Sequence, residues 1–309
     1  MDESVVEVEN LVRRYGDLTA VDGVSLRVRR GEVFGIVGPN GAGKTTTLET
    51  IEGLQTPTSG ATRVLGLDSH RQAARVKEII GVQLQASAYF DFLTLREVLE
   101  LFGSFYRRRL PPQELLTRVG LEDKADSQVK HLSGGQQQRF SIIASMVNDP
   151  EVLFLDEPTT GLDPQARRSL WDLIRNIRQQ GTTVVLTTHY MEEAQALCDR
   201  VAIMDGGRIV ALDSPERLIE GLEAPFNLRL HLSGTVDPSC LAVTGVGKVT
   251  VDGEGPDREY RLQVANVGDT LQPLLARLAE CETQVLNLEI EKATLEDVFL
   301  AHTGRELRD

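Results

Sequence analysis

The chain has 309 residues, 41% apolar and 26% charged, with a formal net charge of −13. These are the proportions of a soluble globular protein of about two domains. No run approaches the roughly 18 apolar residues of a membrane span, and the acidic start (Met1, Asp2, Glu3, Ser4) is unlike the basic head of a signal peptide, so the chain is expected in the cytosol. The acidic balance argues against a large nucleic-acid surface, which needs clustered Lys and Arg. It leaves room for one nucleotide, which a lysine and a helix N-terminus can hold. Cys198, Cys240 and Cys281 are scattered, with neither metal-ligand spacing nor an even disulfide set, and read as buried thiols of a reducing compartment.

Residues 5–12 and 24–28 alternate apolar and polar side chains like antiparallel strands. Residues 33–37 are a continuous apolar run, read as a buried strand, followed by Gly38, Pro39, Asn40, Gly41, Ala42, Gly43, Lys44 and Thr45. From Thr46 to Ile51 there is no helix breaker, so the context is strand, loop, helix. Glycines at positions 38, 41 and 43 let successive amides converge on phosphate oxygens at a helix N-terminus. Lys44 then reaches the β and γ phosphates, and Thr45 offers its hydroxyl to Mg²⁺.

Residues 80–84 read as another strand, ending at Gln85. From there to His131 the strands stop, and Leu95, Val98, Leu99, Leu101, Phe102 and Phe105 fall at helical spacing. A basic cluster, residues 106–109, follows and reads either as a solvated helix end or as a face toward anionic lipid. Leu132, Ser133, Gly134, Gly135 and Gln136 precede a helix expected to run to about Val147, with Ser133 and Gln136 spaced as a capping box. Capping alone accounts for that pair. Two glycines in a first turn, each weakening a helix by roughly 1 kcal/mol relative to alanine, suggest that an anion approaches that backbone.

The apolar run 152–155 leads into Asp156 and Glu157, two carboxylates at the end of a dry strand, closed by Pro158. Burying both is costly without a cation. With Mg²⁺, Asp156 can hold the ion, usually through water, while Glu157 orients or deprotonates an attacking water. The apolar run 183–186 leads to His189 at another strand end. After Gly221 the pattern changes: strands at 226–232, 248–251, 260–264 and 285–290, and a helix at 271–278. Residues 223–309 hold 15 acidic and 8 basic residues, net −7, more than half of the excess charge. The expected architecture is an α/β core over residues 4–222 with a mixed sheet and a helical subdomain at about 86–147, plus a small α+β domain at 223–309.

Taken together, the phosphate loop at 38–45, the Leu132 to Gln136 signature, the Walker B strand ending at Glu157, the turn of Gly161, Leu162 and Asp163, and His189 resemble the nucleotide-binding subunit of an ATP-binding cassette (ABC) transporter, a P-loop NTPase fold. The motifs stand in the family's order over about residues 4–220. The resemblance implies a head-to-tail homodimer in which Ser133, Gly134, Gly135 and Gln136 of one chain contact the γ-phosphate held by Lys44 of the other. Asp163 would meet the opposite phosphate loop. It further implies that Tyr15 stacks on adenine and residues 38–46 bind ATP. Thr45, Gln85 and Asp156 would serve Mg²⁺, and Glu157, His189 and Gln85 hydrolysis. Gln83 is a second candidate for the glutamine, though Gln85 sits better relative to Leu93 and Thr94.

With no span of its own, such a chain would work through a separate transmembrane permease docked near residues 85–109, peripheral on the inner face of the cell membrane. The ending from Ala293 to Ala301, with Thr303, Gly304 and Arg305, resembles daunorubicin-resistance-type drug-export ATPases, as do residues 81–85 and 187–194. That likeness implies export of amphipathic drugs or self-made antibiotics. The competing reading, a soluble cassette acting on ribosomes or nucleic acid, is usually carried by two cassettes per chain, a long coiled coil or zinc modules. A kinase using the same loop would leave Ser133 to Gln136 and Asp163 unexplained.

Overall fold

The computed structural model describes residues 3–84, 89–90, 92–253 and 258–304. The chain divides into two compact units between Pro215 and Glu216, ahead of the composition change near residue 222.

The first unit opens with β1 (Ser4–Tyr15), β2 (Leu18–Arg29) and β3 (Val33–Val37), then α1 (Lys44–Ile51), β4 (Ser59–Val64), β5 (Leu67–Asp68), α2 (Ala73–Ile79) and β6 (Ile80–Gln83). Three helices follow, α3 (Leu95–Gly103), α4 (Pro112–Arg118) and α5 (Gly134–Ala144). The chain then alternates through β7 (Val152–Asp156), α6 (Pro164–Gln179), β8 (Thr183–Thr188), α7 (Met191–Leu197), β9 (Arg200–Asp205) and β10 (Arg208–Asp213).

Two sheets result, and the larger is mixed, as the sequence suggested. β2-β1-β4-β5 is antiparallel, whereas β10-β9-β3-β8-β7-β6 is parallel except at its β10 edge. The split follows from patterning: β3, β7 and β8 are buried at every position and need cover on both faces, while β2 alternates buried and exposed residues. Side chains from both sheets and α1, among them Val6, Leu11, Phe34, Leu48 and Phe154, share one core. The helix stripe at Leu95, Val98 and Leu99 is buried as expected, but α3 stops at Gly103 and leaves Phe105 70% exposed. Helix α5 ends at Ala144, short of Val147, where the Ser145 hydroxyl donates to Ile142 O.

After α8 (Pro215–Glu220), the second unit comprises β11 (Phe226–Leu232), β12 (Val246–Asp252), β13 (Glu259–Val264), α9 (Val267–Glu280), β14 (Val285–Lys292) and α10 (Leu295–Thr303). Its antiparallel sheet runs β12-β13-β11-β14, and Leu274 and Leu278 of α9 join its core with Leu228, Leu230 and Leu262. One expectation is corrected here. Cys240 and Cys281 form a disulfide, their Cα atoms 6.4 Å apart, and only Cys198 is a free buried thiol. The two partners lie 41 residues apart in sequence, and the short 3₁₀ turn Pro238–Cys240 packs on α9, so tertiary packing, not spacing, makes the pair.

Candidate nucleotide site

Strand β3, buried throughout, delivers the chain to Gly38 at the edge of a crowded cradle. A Cβ on Gly38 would stand 2.2 Å from Met204 O; on Gly43, whose φ is +96°, it would stand 2.4 Å from Ala20 O. Gly43 caps α1, and the amides of Gly43, Lys44, Thr45 and Thr46 have no backbone acceptor. With no acidic residue in that first turn, these donors and the helix dipole leave a positive field at the loop. Pro39 O and Ala42 N close the turn at 3.2 Å, and Asn40 and Gly41 are exposed.

Lys44 is buried. Its ammonium donates to Gly38 O at 2.9 Å and Pro39 O at 3.2 Å, and lies 3.4 Å from Glu157 Oε1. Burial pulls its pKa below the usual lysine range, while Glu157 and Asp156 oppose that shift. Asp156, at the end of β7, is 5% exposed, and the Thr45 hydroxyl stands 3.2 Å from each of its carboxylate oxygens. Thr187 on the neighbouring β8 donates its hydroxyl to Asp156 Oδ1 and accepts from Glu157 N at 3.0 Å.

Glu157 has φ +47°, a left-handed conformation that costs about 1–2 kcal/mol outside glycine and turns its side chain off the strand's alternation. Its Oε2 lies 3.1 Å from His189 Nδ1 and accepts from Thr160 Oγ1 at 3.1 Å. The His189 contact has ion-pair distance without hydrogen-bond alignment. Burial pushes the Glu157 carboxyl up, but Lys44, His189 and Thr160 outweigh it and hold the group below the usual carboxylate range. It is thus a carboxylate at neutral pH, with the Lys44 ammonium on one side and the His189 ring on the other.

Tyr15 is 41% exposed, its hydroxyl on Gln55 and its ring under the Arg13 guanidinium at 4.4 Å. Gln83 is buried at the end of β6, whereas Gln85 lies outside the described residues. Ser133 caps α5 in the expected box, accepting from Gln136 N while Gln136 Oε1 accepts from Ser133 N at 3.0 Å. Gly135 has a packing reason as well, since a Cβ there would stand 3.0 Å from the Ala166 Cβ; Gly134 faces open space. Asp163 caps α6, accepting from Gln165 N and Ala166 N at 2.9 Å. Ser133, Gly134, Gly135, Gln136 and Asp163 line a single cleft of about 390 Å³ that none of the Lys44 cluster lines.

Two contributors escaped the sequence reading, Thr187 and Thr160. The first ends the apolar run of β8, and a hydroxyl beside a buried carboxylate was the available signal.

The comparisons agree with this geometry. Residues 21–160 match the ABC transporter family. Relatives include a Nod factor export ATP-binding protein I of Ralstonia nicotianae, 39% identical over 99% of this chain and 95% of its own length. The chain belongs to the ABC transporter ATP-binding subunits. Also related are the daunorubicin resistance ATP-binding protein DrrA3 of Streptomyces coeruleorubidus, 39% identical over 100% of this chain and 98% of its own, and the linearmycin resistance ATP-binding protein LnrL of Bacillus subtilis, 34% identical over 99% and 100%. Among solved structures, the cassette resembles cbiO1 of Clostridium perfringens, part of the transporter complex cbiONQ, with a TM-score of 0.64 and 30% identity over 72% of this chain and 92% of that one. A dimeric cassette in a post-hydrolysis state with ADP and Pi matches with a TM-score of 0.59 and 28% identity over 68% of this chain and 98% of that one. The cassette is therefore a nucleotide-binding ATPase, and its helices include none long and apolar enough to cross a membrane among the described residues.

Proposed function

We propose that two copies of this chain close head to tail over two ATP molecules and that the cycle of closure and hydrolysis drives a separate permease exporting amphipathic drugs or antibiotics. The observation that carries this reading is the division of the site: the Lys44 cluster and the cleft of Ser133 and Asp163 are separate in one chain. Each is incomplete as a triphosphate site. A second copy would bring the α5 N-terminus to the γ-phosphate, where its amides and the Ser133 hydroxyl add donors. On this reading the chain stands on the inner face of the cell membrane, held there by the permease.

The residues present fit Mg²⁺. Thr45 Oγ1 and the Asp156 carboxylate are hard oxygen donors already converged, and among the described residues no group of three His, Cys, Asp or Glu side chains could hold an ion alone, so phosphate oxygens would complete the shell. When bound, the ion neutralises charge on the phosphates. Lys44 binds the β and γ phosphates, exchanging its loop carbonyls for them. Glu157, kept ionised, accepts the proton of the attacking water, and His189 and Thr160 fix its carboxylate. Residues 38–46 orient the phosphates, and Tyr15 offers its ring to adenine.

The chain copurified with a co-encoded multi-span protein and placed in vesicles tests this. ATP hydrolysis should rise several-fold with the permease and rise again with daunorubicin or linearmycin. Hydrolysis indifferent to the permease would sink the transport reading.

A further inference from the structure

Behind the Glu157 turn lies a second acid, with no exposed surface. Glu193, in the first turn of α7, is 0% exposed, and its Oε1 accepts from Trp171 Nε1 at 3.2 Å. Burial pushes this carboxyl above the usual range, while the Thr188 and Thr159 hydroxyls, Trp171 and the Arg167 guanidinium oppose the shift. Each of these neighbours belongs to a segment that carries a residue of the nucleotide site. Thr159 lies two residues past Glu157, in a turn that Leu162 N closes on Thr159 O at 3.2 Å. Thr188 ends β8 immediately before His189; its carbonyl accepts from Gly38 N at 3.3 Å and its hydroxyl from Tyr190 N at 3.0 Å. Trp171 and Arg167 stand on α6, the helix that Asp163 caps. Arg167 also lies over the Tyr190 ring, which is 4.1 Å from the His189 ring.

We propose that Glu193 is a positioning residue for hydrolysis: facing Thr159, Thr188 and Trp171, it holds the Glu157 turn, the His189 loop and the Asp163 helix in one arrangement. The inference rests on the reading that Glu157 accepts the proton of the attacking water. Glu193 touches neither nucleotide nor water and acts through the two threonines, one beside the base and one beside the histidine. Its contacts are unfinished in the single chain. Glu193 Oε2 and Thr159 Oγ1 are both buried, and neither makes an aligned hydrogen bond. An acid kept only to stabilise the fold would have its oxygens paired, because an unpaired buried acceptor is costly and native interiors seldom leave one. Hydrogen bonds around a catalytic group, by contrast, are often loose at rest and tighten with substrate. The brace is thus drawn tight when nucleotide brings the Glu157 turn and His189 together.

The test is steady-state ATP hydrolysis by the full chain, with ATP binding followed by calorimetry. Glu193→Gln keeps the shape and the bond from Trp171 but puts an amide, which cannot accept from Thr159, in place of Oε2. Its kcat should fall about 10–100-fold while KM and the ATP dissociation constant stay within about twofold. Thr159→Val removes the hydroxyl and leaves the acid in place; it should lower kcat with the same unchanged KM, so the outcome does not hang on one variant folding. In a His189→Ala background, Glu193→Gln should cost less than about twofold more, because groups that act through one geometry are not additive. Wild-type kcat in either single variant, a raised KM at unchanged kcat, or full additivity with His189→Ala would each overturn the brace. Glu157→Gln run alongside separates the two readings. If it loses turnover while Glu193→Gln keeps it, the base stands and the brace falls; if it turns over like the wild type, the base assignment falls and the brace with it.

Discussion

Gly43→Ala tests the cradle more sharply than removing a charge, because it changes only where the loop can lie. The added Cβ would stand 2.4 Å from Ala20 O, where real contacts of this kind do not fall below 3.0 Å, so loop and strand must separate by at least about 0.6 Å. The residue also sits at φ +96°, which adds about 1–2 kcal/mol of backbone strain for alanine. Gly43 heads the row of free amides that runs through Lys44 to Thr46. A displacement of that size takes a 2.9 Å hydrogen bond past the useful range, and losing one bond to a charged acceptor costs about 1.5–3 kcal/mol. ATP affinity should fall about 10–100-fold by calorimetry, with a Tm lowered by several degrees. Gly41→Ala is the internal control: φ is +79° but nothing lies within 4 Å of its Cβ, so it carries strain without the clash. A Gly43→Ala chain that binds ATP like the wild type, with an unchanged Tm, would refute the reasoning.

Glu157→Gln should bind ATP but lose at least about 10²-fold in turnover and accumulate an ATP-bound dimer on gel filtration; wild-type turnover would remove Glu157 from the base role. Lys44→Ala should abolish measurable ATP binding, and an unchanged dissociation constant would overturn the phosphate assignment. Reducing the disulfide should destabilise the second unit by about 2–4 kcal/mol, the range for a closed loop of this length, seen as a lower melting transition; no shift would mean that packing alone holds α9. Because the folded-state pKa of Glu52 is raised to about 8, its contribution is full below the unfolded value near 4.5 and is lost as pH rises toward 8. Chemical denaturation between pH 5 and 8 should show a downward slope that Glu52→Gln flattens, and equal slopes would contradict the burial of a lone carboxyl.

Much of this fold could be read from order along the chain. Residues 33–37 and 152–155 are apolar without alternation, and a strand buried on both faces allows little else, so their parallel pairing through β8 was legible. The phosphate loop was legible for a similar reason: glycines at three close positions are an expensive choice unless the backbone needs them. What escaped depended on distant neighbours. The alternation of residues 5–12 predicted antiparallel strands correctly but could not say that they form a second sheet. The three cysteines carried no spacing signal, because β-sheet and helix packing bring Cys240 to Cys281.

Local chemistry, written in consecutive residues, told of a nucleotide, a lysine for its phosphates and two carboxylates at the end of a dry strand. Folding alone decided how these groups act on one another. It turned Glu157 into the left-handed region, set Lys44 and His189 beside it, and brought Thr187 from the neighbouring strand onto Asp156. It also buried the Glu52 carboxyl with neither oxygen hydrogen-bonded. Residue identity and spacing fix which bonds are available, but the free energy of a charge depends on its solvent and its nearest neighbours, and for a buried group those are known only once the chain has packed.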